Sequence, residues 1–165
     1  DGSRCGVSRS KAIGTSQGET PFVNWAKENG FPFARRLALS GSTDEGDVLL
    51  DPVANDVIVE VKAGKVAERS EPAWLADAMS QLDAEAANFG ARRAFLVTKR
   101  KGYGEKRVGE WWAWVRLNVP NEYPDDEPGY SLFSRPRSGR ATFPVRMTVA
   151  QAVGLLRNEG YGAKP

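Results

Sequence analysis

Asp47, Glu60 and Lys62 are residues whose types and spacing can do hydrolytic chemistry. The runs 47–51 and 56–62 are rich in Val, Leu and Ile, and Pro52, Val53, Ala54 and Asn55 between them have a composition that turns chains. The pattern predicts a hairpin with Val57, Val59 and Val61 on one face and Ile58, Glu60 and Lys62 on the other. Pairing Asp51 with Asp56 across the turn sets Asp47 directly opposite Glu60, with Cβ atoms about 4.5–5.5 Å apart. Two bare carboxylates at that separation repel each other, and a divalent cation between them turns the repulsion into coordination. Lys62 follows on the same face, about 6.5–7 Å further along the strand.

An acid, an acid and an ammonium on one patch suit phosphodiester hydrolysis. The two carboxylates and the backbone carbonyl of Val61 form an all-oxygen ligand set. A metal held there lowers the pKa of a bound water and neutralises charge on the scissile phosphate. Lys62 can orient or deprotonate that water, or stabilise the pentacovalent oxygens. A Glu-x-Lys at a strand end is equally well a solvent-facing alternation on an edge strand. The aspartate in the opposing register is what favours the chemical reading.

Composition narrows the chemistry. The chain of 165 residues has no histidine and one cysteine, which excludes Ser-His-Asp and Cys-His catalysis and His- or Cys-rich zinc sites. Any metal ligands must therefore be oxygens, which suits magnesium, with manganese as a substitute. Hydrophobic residues at 41% and charged residues at 27% fit one soluble globular domain. Its longest apolar run, Trp111 to Val115, is too short to cross a bilayer, and the N-terminal segment has no apolar signal core. The expectation is a cytoplasmic protein without a membrane partner. Net charge is only +2, yet residues 91–107 hold seven Lys or Arg (Arg92, Arg93, Lys99, Arg100, Lys101, Lys106 and Arg107) against Glu105. Such a stripe is either a phosphate-binding face or merely a solvated surface.

The elements that must position these residues are legible in outline. Residues 1–17 are polar and Gly/Ser-rich, an expected loose arm. Thr20 to Asn29 reads as a helix capped by Thr20, with Pro21 in its first turn and Gly30 as its stop. Phe33 to Leu39 is predicted as a strand and Ser40 to Gly46 as a loop. Glu71 to Phe89 is predicted as a helix capped by Ser70, with Leu75, Ala78, Leu82, Ala86 and Phe89 facing the sheet. Arg93 to Thr98 reads as a buried strand and Gly109 to Leu117 as a further strand. Pro120 to Gly139 reads as an acid- and proline-rich loop. Thr142 to Met147 is a last strand, and a closing helix runs from a Thr148 cap to Glu159. The order implies an α/β fold, a mixed central sheet flanked by helices. Residues 18–117 form the expected core, and 118–165 an extension packed on the same domain.

From about Gly18 to Thr98 the chain resembles the PD-(D/E)XK nuclease superfamily, in particular the archaeal-type Holliday junction resolvases. The resemblance rests on Glu19 with Gly30-Phe31 after it, Arg36 followed four residues later by Ser40, Asp47 within Gly46-Asp47-Val48, and Glu60-Val61-Lys62. A helix over 72–89 and an apolar strand ending in Lys99, Arg100 and Lys101 complete it. Gly46 stands where the motif has proline. The resemblance implies a restriction-endonuclease-like fold and a magnesium-dependent endodeoxyribonuclease. It implies a homodimer that cuts branched, four-way DNA symmetrically in recombination or repair, in a bacterial, archaeal or phage-infected cell. Other DNA nucleases of that superfamily, and a binding module on the fold that no longer cleaves, stay open.

The same resemblance suggests further site residues. Glu19 can complete the metal site as a third carboxylate, or simply favour a helix N-terminus through the dipole. Arg36 and Ser40 can bind phosphate, or Arg36 can be an ordinary surface residue. Gln81 lies beside the apolar stripe of its helix, where related nucleases place a glutamine near the active site, although glutamine is also a good helix former. Lys99, Arg100 and Lys101 can follow a DNA backbone, with Tyr103 available to stack on an unpaired base, or the segment can be a plain flexible hairpin tip. Trp111, Trp112 and Trp114 read as core or dimer-interface packing ahead of a stacking platform.

Overall fold

The computed structural model describes residues 15–38, 47–121 and 130–164. The loop Ser40 to Gly46, most of the acid-rich segment after Pro120 and nearly all of the N-terminal arm lie outside the described residues. A π-helical turn, Thr15–Glu19, runs into helix α1, Thr20–Glu28. Among the described residues seven strands follow: β1 (Arg35–Arg36), β2 (Val48–Leu49), β3 (Val57–Lys62), β4 (Arg93–Thr98), β5 (Trp112–Pro120), β6 (Ser131–Leu132) and β7 (Arg140–Thr148). Helices α2 (Lys65–Arg69) and α3 (Pro72–Phe89) cross from β3 to β4, and α4 (Val149–Asn158) closes the chain.

All seven strands form one mixed sheet in the order β1-β2-β3-β4-β5, with β3 and β4 parallel and the other pairs antiparallel. Only the parallel pair needs a long crossover, and α2 with α3 supplies it. β7 pairs with β5 along nine positions, so β4 and β6 share the opposite edge of β5. Alternation along the strands splits the core in two. One face packs Val57, Val59, Val61, Phe95, Val97, Ala113 and Val115 against α1 and α4. Phe95 meets Phe22 and Phe133 edge-on at centroid distances of 6.3 and 5.8 Å. The other face packs Leu49, Ile58, Ala94 and Leu96 under Leu75, Ala78, Met79, Leu82 and Ala86 of α3. The result is helices on both faces of a mixed sheet, and no helix among the described residues is long and apolar enough to cross a membrane.

Several local expectations are corrected. Of the strand expected over Phe33 to Leu39, Arg35 and Arg36 pair with β2 among the described residues while Phe33 is exposed; Leu39 lies outside the described residues. Thr20 does not cap α1: Glu19 precedes it in helical conformation, continuing the π-helical turn. Ser70 ends the unforeseen helix α2 in the left-handed region at φ 48°, and Glu71 takes the capping position of α3. Residues 105–110 form a 3-10 turn, so β5 starts only at Trp112 and then extends to Pro120. β6 interrupts the expected loop, because residues 131 and 132 complete the edge of β5 left open beyond β4. Thr148 caps α4 as expected, in a reciprocal capping box with Gln151.

Candidate active site

The hairpin register follows the sequence pattern. Val48 pairs with Val59 and Leu49 with Ile58, which sets Asp47 opposite Glu60. Asp51 fixes the turn: its carbonyl accepts the Asn55 N–H at 2.8 Å, and its Oδ1 accepts the Val53 and Ala54 N–H groups at 3.1 and 3.3 Å. Asn55 adopts φ 52°, a conformation that asparagine tolerates better than most residues.

At the other end of the hairpin, Asp47 Oδ2 accepts the backbone N–H of Val61 at 2.8 Å. Glu60 is buried, and its Oε1 is ion-paired with Lys62 Nζ. Glu85 of α3 is buried as well, and its carboxyl acts on Glu60 to raise the Glu60 pKa. Glu85 Oε1 in turn accepts from Gln81 Nε2 at 2.7 Å. Burial first, then the negative charge of Glu60, pushes the Asp47 carboxyl up to about 8, against the Val61 hydrogen bond. Burial also pushes Glu60 up to about 8; Lys62 opposes this while Glu85 adds to it. For Lys62, burial disfavours the ammonium, but Glu60, Asp47 and Glu85 outweigh it and hold the pKa above its usual value.

Glu19 reaches the same patch from the helical side. It ends the π-helical turn, and its charge helps raise the Asp47 pKa. Its Oε2 accepts from Arg36 Nε at 2.6 Å, so Arg36 holds Glu19 in place. Gly18 permits this approach, since a Cβ there would lie 3.2 Å from both the Ala63 Cβ and the Val61 Cγ1 of the neighbouring strand.

Of the residues singled out in the sequence, Glu19, Arg36, Asp47, Glu60, Val61, Lys62 and Gln81 thus converge. Ser40 lies outside the described residues. Glu85 was not singled out, although it sits three residues after Leu82 on the sheet-facing stripe of α3, where a charge is out of place. The basic stripe over 91–107 divides. Arg92 and Arg93 sit at the start of β4, paired with Asp56 and Glu159. Lys99, Arg100 and Lys101 follow its far end, beside the acids, where the Lys99 N–H bonds the Lys62 carbonyl at 3.0 Å.

The donor set is oxygen-only, and burial is the main cause of its raised carboxyl pKa values. At Asp47 the charges of Glu60 and Glu19 add to it, a repulsion that a cation would relieve. Asp47, Glu60 and the Val61 carbonyl are the residues fitted to hold such an ion. Among the described residues, no group of three or more acidic side chains is gathered closely enough to bind a metal as it stands. The Glu60 carboxylate is engaged by Lys62 in its ion pair. Comparison with protein-family models, curated proteins and solved structures gives no match to this chain.

Proposed function

We propose that this chain is a metal-dependent endodeoxyribonuclease on a restriction-endonuclease-like fold, acting on branched DNA as a homodimer, with a four-way junction as its substrate. The observation that supports it is the facing of Asp47 and Glu60 across β2 and β3, with Lys62 ion-paired beside them. Magnesium, or manganese in its place, would supply an activated water and neutralise charge on the scissile phosphate. Asp47 and Glu60 provide the anionic ligands, and Glu19 adds a carboxylate at the rim. Lys62, held protonated by its acidic neighbours, suits a donor to a phosphate oxygen better than a base. Lys99, Arg100 and Lys101 at the same end of the sheet can meet the DNA backbone.

The second reading is a nucleic-acid-binding module that does not cut. The lack of a preformed group of three acids among the described residues favours it. A synthetic four-way junction with magnesium, tested with wild type and Asp47→Ala beside a linear duplex of matched sequence, separates the two. Junction cutting by wild type alone supports the nuclease. Binding by both proteins without cutting in magnesium or manganese overturns it in favour of the module.

A further inference from the structure

Beyond β4, aromatic rings and guanidinium groups alternate in one continuous stack. Arg107 lies over the Tyr103 ring at 4.1 Å, and Arg100 covers the same ring at 4.0 Å. Arg100 also lies over Trp112 at 4.2 Å, and Arg146 covers Trp112 at 4.4 Å and Trp114 at 5.6 Å. The sheet register ties this stack to the candidate site. Lys62 pairs with Thr98 and Thr98 with Trp112, while Glu60 pairs with Leu96 and Leu96 with Trp114. Directly opposed residues project to the same face, so Trp112 and Trp114 share the face of Glu60 and Lys62, about 10 Å away across two strand spacings. The Trp114 indole N–H bonds Thr98 Oγ1 at 3.1 Å, which fixes that ring beside the site.

The charge of the stack is only partly balanced from within. Arg107 is ion-paired with Glu110, whose charge also acts on Arg100, while among the described residues no ion pair within 4.0 Å joins Arg100 or Arg146 to an acid. Lys99, Lys101 and Lys106 add further positive charge nearby. Arg146 is exposed, and Tyr103, Trp112 and Trp114 are each part-exposed. A hydrophobic core would not alternate rings with cations in this way, and a purely electrostatic surface would not need the rings. A single nucleic-acid strand presents both complements, phosphates for the guanidiniums and base faces for the rings. A duplex hides its base faces in its own stack.

We propose that the stack from Arg107 to Trp114 is a docking ledge for an unpaired DNA strand leaving the candidate active site. This rests on the nuclease reading and narrows its substrate to branched DNA with a single-stranded arm. The ledge accounts for part-exposed tryptophans next to a hydrolytic centre, and it gives the cations beyond β4 a partner.

The test uses the full chain in chelator, so that binding is read without cutting. Fluorescein-labelled oligonucleotides of about 15 nucleotides, single-stranded and duplex, are titrated by anisotropy and by tryptophan quenching. Single strands are expected to bind more tightly than duplex and to quench the indole fluorescence. Trp112→Leu should weaken single-strand binding about tenfold, with Trp112→Phe retaining most of the affinity. The pair Arg100→Ala/Arg146→Ala, part-exposed and exposed, guards against misfolding of the Trp112 variant; it should weaken binding and lower the salt slope by about 1.4. Arg135→Ala/Arg137→Ala, at the far end of the sheet, should leave the single-strand preference intact.

Duplex bound as tightly as single strand overturns the ledge. So does unchanged single-strand affinity in both ledge variants with wild-type melting behaviour. An acidic peptide competing as well as DNA at equal charge would also overturn it, pointing to a protein partner. Single-strand binding through Trp112 in a protein that never cuts with metal would remove the nuclease reading and leave the ledge standing. Cutting without any effect of the ledge variants would do the reverse.

Discussion

The buried carboxyl of Glu85 acts on the buried carboxyl of Glu60 where α3 packs on β3, and raises its pKa. Two interacting acids out of water disfavour a second negative charge, so the pair favours keeping one proton. Glu85 is thereby a residue that acts through Glu60: it opposes its ionisation. Glu85→Gln keeps the shape and offers an amide donor while removing one negative charge. The Glu60 pKa should then fall, shifting the acid limb of the pH–rate profile for junction cutting to lower pH. At a pH on that limb, a shift of one unit gives about a tenfold gain in rate. An unmoved acid limb in a folded variant would show that Glu85 does not set the ionisation of Glu60.

The raised Asp47 and Glu60 pKa values also predict how metal-free stability depends on pH. Each carboxyl is pushed up to about 8 in the folded protein, against about 4 in the unfolded chain. Between those values the folded state binds more protons than the unfolded state, so stability falls as pH rises. The favourable contribution is full below about pH 4 and lost as pH passes about 8. In chelator the melting temperature should therefore be several degrees higher at pH 5 than at pH 8. Asp47→Asn/Glu60→Gln should flatten that slope, and added magnesium should raise the pH 8 value selectively. Melting temperatures that rise from pH 5 to pH 8 in chelator would contradict the burial of these charges.

Gly18 is the backbone device that lets Glu19 approach the acid pair. Its missing Cβ would sit 3.2 Å from two side-chain carbons of the β3 segment, closer than ordinary packing allows. Gly18→Val should push the π-helical turn outward and withdraw Glu19 from Asp47. Cutting should drop about tenfold to a hundredfold, as expected when a remote change displaces a catalytic group by an ångström. DNA affinity should change little, because basic residues dominate it. A variant that melts like wild type and cuts at the wild-type rate would remove Glu19 from the active set.

The central hairpin was legible because two constraints agree there. Alternation assigned the faces, and a turn bounded by Asp51 and Asp56 fixed the register, so the facing of Asp47 and Glu60 followed from residue order alone. Helix α3 was legible from its stripe, with Pro72 at its start and Gly90 at its end. Glu85 sits on the same stripe three residues after Leu82, and an acid at that position was the signal by which the stripe could have found it. The edges of the sheet, by contrast, were obscured. Arg35 and Arg36 are exposed and β6 is two residues long, so pairing alone defines them. Trp112 and Trp114 looked like core residues by type, and only the β4–β5 register placed them on the face of Glu60 and Lys62.

Tyr161 ties the end of the chain to the hairpin turn, opposite the candidate site. Its hydroxyl donates to Asp56 Oδ2 at 2.7 Å, and the Gly162 N–H donates to Asp51 Oδ2 at 2.7 Å. Asp56 also accepts the Arg92 backbone N–H at 2.8 Å and Arg92 Nε at 3.1 Å. Burial works against the Asp56 anion, but the Tyr161 and Arg92 hydrogen bonds prevail and hold its pKa below the usual value. A depressed carboxyl stabilises the fold above its unfolded pKa, and that contribution is lost as pH falls through the folded pKa. Tyr161→Phe removes one charge-assisted hydrogen bond and should destabilise the protein by about 1.5–3 kcal/mol. For a chain of this size the melting temperature should fall by about 3–12 °C, and acid unfolding should begin at a higher pH. Asp56 lies four residues before Glu60, about 13 Å along β3, so junction cutting below the melting range should stay within about twofold of wild type. Unchanged acid stability would mean that Asp56 does not depend on Tyr161. A large loss of cutting in a folded Tyr161→Phe protein would show that the two ends of the hairpin are coupled.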